Sequence, residues 1–313
     1  MRRNPVHRIV VSSLVLGFAV AAAARAHGSH GSMNISINSE KEVRACRDLR
    51  IQFDGRGAQR AEDTFTMAAG APLSVRLPVN SGMRVTGASR SDFSVTVCKA
   101  ADRSEDLDAI RVTPQGAGLA FRGPTGDDWT VYLLVQAPKG AALDLEATNG
   151  SIGVRGMTGR VTARTTNGPI GISDSSGEIR ANAQNGPISL DDCSGSGEAR
   201  AVNGPVHISG RAGTYRLSTQ NGPISVDLDG DRWEGTLDAR AVNGPLSLKL
   251  SDDYRSGVVV EATGHGPVSC PDSACRSARR TFDDEGRRIE FGDSQPVVRL
   301  STRNGPVSIE RAD

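Results

Sequence analysis

Apolar and polar side chains alternate along most of the chain, and the alternation restarts at a regular interval. Before Asn167, apolar or small residues take every second place, at Val161, Ala163 and Thr165. After the Asn-Gly-Pro that follows, the apolar places shift by one, to Ile170 and Ile172. Alternation with a period of two predicts β-strands that have one buried and one wet face. The pattern therefore predicts two short strands per unit, with a turn of the chain between them.

The unit is repeated many times. Asn-Gly begins at Asn149, Asn167, Asn185, Asn203, Asn221, Asn243 and Asn304. The first four intervals are 18 residues each, and the next is 22. "GHGPVSC" places His265 where an asparagine is expected, and "PLSVRLPVNSGMRV" places Ser81 there. A constant period of roughly 20 residues is typical of stacked repeats that cannot bury their apolar faces alone.

Two arrangements produce Asn-Gly turns between strands. Antiparallel hairpins favour this dipeptide, but the proline that follows removes a backbone donor where pairing would begin. Units that repeat in phase suit parallel stacking in register. We therefore predict an all-β fold, a single-stranded parallel β-helix or β-solenoid, whose coils of about 18 residues lie ~4.8 Å apart. Stacked in chain order, the units from Leu143 to Ile309 would span about 38 Å.

In such a stack the seven asparagines form a column. Each side-chain amide can donate to one neighbour and accept from the other. Because Asn167 shares its parity with Thr165 and Ala163, we expect the asparagine side chains to point to the dry side. The sequence thus predicts a buried structural ladder rather than a row of ligand-binding amides.

Two columns of charged residues are predicted on the wet face. Three places before their asparagines lie Arg164, Arg200 and Arg240, on alternate coils about 9.6 Å apart. This column has no carboxylates of its own, so we expect arginines that are free to bind a repeating anionic polymer or simply to be solvated. Five places before their asparagines, the residues alternate in charge and should pair from coil to coil. They are Arg180, Glu198, Arg216 and Asp238.

The N-terminus has the features of an export signal. A basic start, an apolar run and Ala24-Arg25-Ala26 predict a signal peptide over residues 1–26. The apolar run is shorter than the ~20 residues of a membrane-spanning helix, and no later stretch is apolar enough. We predict a tail with capping strands over residues 27–70, and a repeat domain over 71–313 with an insertion at 270–290. The mature chain should be periplasmic, secreted or on the cell surface.

Five cysteines are present in this chain of predicted export, where disulfides are expected. Cys270 and Cys275 flank a turn that contains a proline, and we predict that they pair. Cys46 with Cys98 is the second expected pair, although other pairings stay possible. Cys193 would then be the free cysteine.

Composition narrows the possible functions. A net charge of +1 gives no reason to expect nucleic acid or an anionic membrane as partner. Several aspartates could serve an enzyme, but most lie at turns, where aspartate is structurally favoured. They are Asp191, Asp192, Asp227, Asp229 and Asp231. We expect no catalytic residues, no metal site and no cofactor.

The repeated Asn-Gly-Pro-[Ile/Val/Leu]-x-[Ile/Val/Leu] resembles a bacterial family of β-strand-repeat domains of unknown function that are called putative adhesins. It is also similar to the autotransporter-adhesin head domain named for its Gly-Ile-Asn repeats. The resemblance covers residues from about Cys46 to Ile309 and implies an exported, non-enzymatic module that binds envelope polysaccharide or a surface protein. The alternative is a carbohydrate-active parallel β-helix enzyme, a lyase or hydrolase, which would need clustered carboxylates.

Overall fold

The structure is a computed structural model that describes residues 35–38, 43–251, 253–264, 266–271, 275–276, 278–283, 286–292 and 295–311. The described part of the chain is nearly all β, with 64% of its residues in strands and 4% in helix. Within the described ranges, no helix is long and apolar enough to cross a membrane. The predicted signal peptide and His265 lie outside the described residues.

The described residues form 28 strands. In chain order these are β1 (Ile35–Asn38), β2 (Arg50–Phe53), β3 (Arg56–Gly57), β4 (Gln59–Ala68), β5 (Leu73–Arg76), β6 (Gly82–Ala88), β7 (Asp92–Ala101), β8 (Arg111–Gln115), β9 (Gly118–Arg122), β10 (Trp129–Pro138), β11 (Leu143–Asn149), β12 (Ile152–Arg155), β13 (Val161–Asn167), β14 (Ile170–Ser173), β15 (Glu178–Asn185), β16 (Ile188–Asp191), β17 (Ser196–Asn203), β18 (Val206–Gly210), β19 (Ala212–Asn221), β20 (Ile224–Leu228), β21 (Glu234–Asn243), β22 (Leu246–Leu250), β23 (Gly257–Ala262), β24 (Val268–Ser269), β25 (Arg279–Asp283), β26 (Gly286–Phe291), β27 (Pro296–Asn304) and β28 (Val307–Arg311). Short 3₁₀ turns cover Cys46–Asp48 and Ser104–Ala109.

Most of these strands belong to two large sheets. One has 12 strands in the order β24-β28-β22-β20-β18-β16-β14-β12-β6-β10-β7-β4. The other has 13 strands in the order β25-β26-β23-β27-β21-β19-β17-β15-β13-β11-β5-β9-β8. Each repeat therefore gives one strand to the 13-stranded sheet, turns at Asn-Gly-Pro, and gives the next strand to the 12-stranded sheet.

Successive repeats pair in parallel and in register. In the 13-stranded sheet Ala163 pairs with Ala181, and Asn167 with Asn185. In the 12-stranded sheet Ile170 pairs with Ile188. The two strands on either side of each Asn-Gly lie in different sheets, so the dipeptides do not form hairpins. Equivalent side chains of every repeat are thereby brought into columns.

The core lies between the two sheets and is continuous along the stack. Its side chains come from the apolar places of both strands of each unit, including Val161, Ala163, Ile170 and Ile172, all of which are buried. Alanine and glycine take many of the inward places in the 13-stranded sheet. The branched side chains that fill the interior come largely from the 12-stranded sheet, which explains how the chain builds a core with few aromatic residues.

The first strands close one end of the stack. β4, β7 and β10 extend the 12-stranded sheet with antiparallel pairs, and β6 pairs with β10 in parallel. A separate three-stranded sheet, β1–β3, has its own small core that includes Leu49, Ile51 and Phe53. The covered end prevents unpaired strand edges of the repeats from pairing with other chains.

The other end departs from the expected chain order. We predicted that the repeats stack in sequence, but β27 lies between β21 and β23 and pairs in parallel with both. β23 is covered on its far side by β26, and β26 by β25, in antiparallel pairs. The insertion supplies these two strands and the length of chain that lets residues 296–311 return to the inner position.

Candidate functional site

A ladder of side-chain hydrogen bonds runs along the corner where the chain passes between the sheets. Each asparagine donates from Nδ2 to Oδ1 of the preceding repeat, over 2.8–3.0 Å at every step. The ladder contains Asn80, Asn149, Asn167, Asn185, Asn203, Asn221, Asn243 and Asn304. All the bonds point the same way, so the column has a polarity.

The ladder begins one residue earlier than the sequence predicted. Asn80, and not Ser81, takes the asparagine place, and its Oδ1 accepts the bond from Asn149. Asn80 has a φ of 62°, a left-handed conformation that asparagine tolerates better than most residues. Ser81 is instead fully buried, close to the Thr130 hydroxyl.

The ladder is not buried, contrary to the prediction. Asn149 and Asn167 are half-buried, and the five that follow are exposed. Strand parity fails because the chain is already turning at the asparagine: Thr165 is the last inward side chain of β13, and Ile170 is the first of β14. The amides therefore lie on the rim of the stack, where water can reach them.

A column of glycines beside the ladder leaves no room for a side chain. A Cβ added at Gly186 would lie 2.2 Å from the carbonyl oxygen of Gly168, and one at Gly204 would lie 2.2 Å from that of Gly186. The same approach recurs at Gly222 and Gly244. The glycines are thus required by the close stacking of corner on corner.

The outward residues of β11, β13, β15, β17, β19 and β21 that lie one and three places before each asparagine form a surface that we call the outer strip. In pairs along the stack these residues are Glu146 and Thr148, Arg164 and Thr166, Asn182 and Gln184, Arg200 and Val202, Ser218 and Gln220, and Arg240 and Val242. From β13 to β21, a strand with arginine followed by threonine or valine alternates with a strand that has asparagine or serine followed by glutamine. Equivalent chemistry therefore returns on every second strand, about 9.6 Å along the stack.

The arginines of the outer strip are not free, which corrects the expectation. Arg164 Nη1 lies 2.7 Å from Asp144 Oδ1, and Arg200 Nη2 lies 2.5 Å from Glu198 Oε1. Arg240 makes two bonds to Asp238, at 3.0 and 2.8 Å, and this carboxylate raises the pKa of the guanidinium. Each arginine takes its partner from the column five places before the asparagines.

That second column does not pair from strand to strand as predicted. Glu198 and Asp238 bind the arginines two residues along their own strands, and Arg180 binds Glu178. Residues at i and i+2 share a face of the strand. A same-strand partner therefore competes with the cross-strand neighbour for the same side chain. The sequence pattern does not distinguish same-strand from cross-strand ion pairs.

Two shallow depressions lie along this side of the 13-stranded sheet. One, of ≈ 410 Å³, is lined by Arg164, Asn182, Gln184 and Arg200 of the outer strip. The other, of ≈ 520 Å³, is lined by Arg240 with residues of β23 and β27. Val202 and Val242 expose 37% and 39% of their surface. This side therefore offers paired charges, amides and small apolar patches around two open depressions.

Two of the aspartates that an enzyme could use, Asp191 and Asp227, lie on the outer face of the 12-stranded sheet. Asp191 accepts hydrogen bonds from Ser189 over 2.7 Å and from Ser209 over 3.0 Å, and His207 Nε2 lies 3.5 Å from it. Asp227 pairs in register with Ser209, so it lies two strands from Asp191. Among the described residues, no three histidine, cysteine or acidic side chains come together as potential metal ligands.

The structure contains disulfides Cys46–Cys98 and Cys270–Cys275. The first ties the three-stranded sheet to β7. Cys193 is free and buried, and burial raises the pKa of its thiol to about 11. Its Sγ lies 3.5 Å from the carbonyl oxygens of Ile172 and Asp191, so it serves as a small core residue.

A scan against protein-family models and a search of curated proteins find no match. Solved structures that are similar to this chain include a "putative cell adhesion protein" from Clostridium sporogenes, with 11% identity and a TM-score of 0.24 over 81% of this chain and 100% of that chain. A "putative adhesin" from Bacteroides fragilis has 11% identity and a TM-score of 0.24 over 80% and 97%. A "putative lipid binding protein" from Parabacteroides distasonis has 12% identity and a TM-score of 0.31 over 80% and 97%. At this distance we draw no function from these likenesses.

Proposed function

We propose that this chain is an exported, non-enzymatic β-solenoid that binds or supports polymers of the cell envelope, as an adhesin-like module. The observation that carries the proposal is the outer strip, whose chemistry returns on every second strand. A surface with a regular repeat is suited to a ligand with a regular repeat, because each additional unit of ligand finds the same contacts. The two disulfides support export, since such bonds persist in oxidising compartments.

The path of the chain supports the proposed solenoid form. Each repeat contributes one strand to each large sheet, and the next repeat lies beside it in parallel register. A chain that returns to the same position ~4.8 Å further along after each unit describes a coil. Both sheets then run the length of the stack, and a linear ligand can lie along either of them.

The ligand that best fits the outer strip is an extended polysaccharide. A disaccharide unit of an extended glycan is of the same order as the roughly 9.6 Å between equivalent strands. An arginine held by a carboxylate still offers N–H donors, while the carboxylate and the amides of Asn182 and Gln184 offer acceptors. Hydroxyl groups of a sugar require both kinds of partner.

The ion pairs change the ligand chemistry that the arginine column alone suggested. A free arginine column would select a uronic-acid or phosphate-bearing polymer. With Asp144, Glu198 and Asp238 beside Arg164, Arg200 and Arg240, much of the positive charge is compensated. We therefore propose that the strip binds a hydroxyl-rich glycan, with acidic groups tolerated rather than required.

The alternative, a lyase or hydrolase, lacks comparable support. Asp191 uses its oxygens for Ser189 and Ser209 on its own face, which favours a structural role for this carboxylate. Incubation of the mature protein with envelope polysaccharides should release no new reducing ends. Steady release would contradict the non-enzymatic proposal.

The test is binding of the mature protein to a glycan array and to isolated cell-wall material. Replacing Arg164, Arg200 and Arg240 with glutamine should weaken glycan binding severalfold. The matched control is the triple change of Arg122, Arg211 and Arg232 to glutamine, which alters net charge equally elsewhere on the surface. Equal binding by wild type and the strip variant would refute the proposed surface. Binding that disappears in moderate salt would show that the ligand is a polyanion after all.

A further inference from the structure

Every dipeptide that follows the ladder pattern beyond Asn80 is Asn-Gly, which is chemically fragile. In Asn-Gly the backbone nitrogen of the glycine can lose its proton and attack Cγ of the asparagine side chain. A bond forms between that nitrogen and Cγ, the bond from Cγ to Nδ2 breaks, and ammonia leaves. Water then opens the resulting succinimide ring at one of its two carbonyls and leaves aspartate or isoaspartate. Glycine favours this reaction because it has no side chain to hinder the attack.

The fold cannot avoid this dipeptide. The glycine is required because a Cβ at Gly186 would meet the Gly168 carbonyl oxygen at 2.2 Å. The asparagine is required because a ladder needs a side chain that donates and accepts at once, as an amide does. Asn-Gly, the dipeptide of this chain that is most prone to deamidation, therefore recurs as a column along the stack.

In the folded geometry both reacting groups are hydrogen-bonded to neighbouring repeats. The N–H of Gly204 donates to the carbonyl oxygen of Asn221 over 3.1 Å, which keeps the proton on the nucleophile and directs it towards the next repeat. The side chain of Asn203 is held at both ends, by Asn185 Oδ1 and by Asn221 Nδ2, each over 2.9 Å. Asn203 can turn its Cγ towards its own backbone only after these bonds break.

The same three bonds recur at other steps of the ladder. Gly168 donates to Asn185, Gly222 to Asn243 and Gly244 to Asn304, over 3.0–3.2 Å. The side chains of the preceding asparagines take part in the ladder on both sides. These closed sites are Asn167, Asn203, Asn221 and Asn243.

We propose that the asparagine ladder is a row of latent modification sites, which stacking keeps closed and which local opening converts irreversibly to aspartate or isoaspartate. The conversion cannot be undone by restacking. A carboxylate accepts but does not donate, so one ladder bond is lost, and isoaspartate adds a methylene to the backbone and disturbs the register. Each opening of a corner that leads to reaction would therefore leave a permanent covalent change at that asparagine.

The first test compares deamidation in folded and unfolded protein at mildly alkaline pH, by peptide mapping with mass spectrometry. Breaking two or three hydrogen bonds before attack should slow the reaction roughly tenfold to a hundredfold in the folded state. Comparable rates at the four closed sites in both states would overturn the proposal. Asn182, which precedes alanine, serves as a slow internal reference in both samples.

The second test uses the polarity of the ladder. Asn221→Asp still accepts from Asn243 but no longer donates to Asn203, so deamidation should rise severalfold at Asn203 and stay unchanged at Asn243. Asn221→Ala should accelerate both sites. The control, Ile224→Val, removes one methyl group from the core side of the neighbouring 12-stranded sheet and leaves the ladder intact. Acceleration of both sites by Ile224→Val as strong as that by Asn221→Ala would show that general stability, and not the ladder, protects them, and would overturn the proposal.

Discussion

Adjacent residues of one corner should differ sharply in their tolerance of alanine. Asn185→Ala removes one donated and one accepted bond, each 2.9 Å long. Because Asn185 is exposed, water can replace both, and we expect a loss of only about 1–2 kcal/mol. Gly186→Ala adds a single methyl group, but that carbon would lie 2.2 Å from a backbone oxygen of the neighbouring repeat. The neighbour is backbone and cannot rotate away, so we expect a loss of about 3 kcal/mol or more.

The assay is thermal unfolding followed by circular dichroism, with hydrogen exchange of the two neighbouring repeats. Asn185→Ala should lower Tm by about 2–6 °C, and Gly186→Ala by about 6 °C or more. Exchange should rise at the corners of β13–β14 and β17–β18 in the glycine variant, because those repeats must separate to admit the methyl group. If Gly186→Ala melts like wild type, or if Asn185→Ala is the more damaging change, the corner geometry described above is wrong.

Three further outcomes follow from the structure. Burial raises the thiol pKa of Cys193 to about 11. The thiol should therefore resist alkylation at pH 8 in the folded protein and react once guanidinium unfolds the chain. Fast labelling of Cys193 in the folded chain would contradict its burial. Cys98→Ser should release the three-stranded sheet and lower the stability of that unit by about 2–4 kcal/mol. Residues 43–57 should then become sensitive to protease while the repeats stay protected. An unchanged digestion pattern would show that the small core holds the sheet in place without the disulfide. Val298→Asp places a charge at a fully buried position between Leu237 and Val258. It should expose β23 to proteolysis as well as β27. Cleavage confined to residues 296–311 would contradict the observed strand order.

The repeated units could be predicted from sequence because two local signals agree in each of them. Alternation located the strands, and Asn-Gly-Pro located the corner between them. Parallel pairing followed from the constant interval, since Ala163, Ala181 and Ala199 can lie side by side only if successive units have the same length.

The asparagine orientation could not be predicted by the same reasoning. Parity is a property of extended backbone, and it ends where the backbone turns. A more useful signal was available in Thr219 and Thr302, whose hydroxyls donate to the carbonyl oxygens of Gly204 and Gly244 on the dry side of the corner. Small inward residues two places before the asparagine mark the last buried position of the strand.

The ion-pair partners of the arginines also could not be predicted from the sequence. Glu198 has Arg200 two places later on its own strand, and Arg180 and Arg216 directly opposite it on the two neighbouring strands. Surface ion pairs contribute only about 0–1 kcal/mol, so small differences in side-chain geometry decide between them.

The exchange of β27 and β23 in the strand order could not be predicted from the sequence either. "GPVS" occurs in both segments, and nothing local indicates which of them lies against β22.

The inner position of β27 and β28 has a consequence for the order in which the protein matures. Repeats up to β22 can dock one after another in chain order. The strands β23 and β24 cannot, because they pair with β27 and β28, which come later in the chain, and closing so long a loop is slow. We therefore expect β23 and β24 to dock only after β27 and β28 have docked, or together with them, as the last step of folding. Until then we expect the side chains of Leu246, Leu248 and Leu250, whose strand later pairs with β28, to be partly uncovered, so that a chaperone could bind them and two half-folded copies could exchange their last strands.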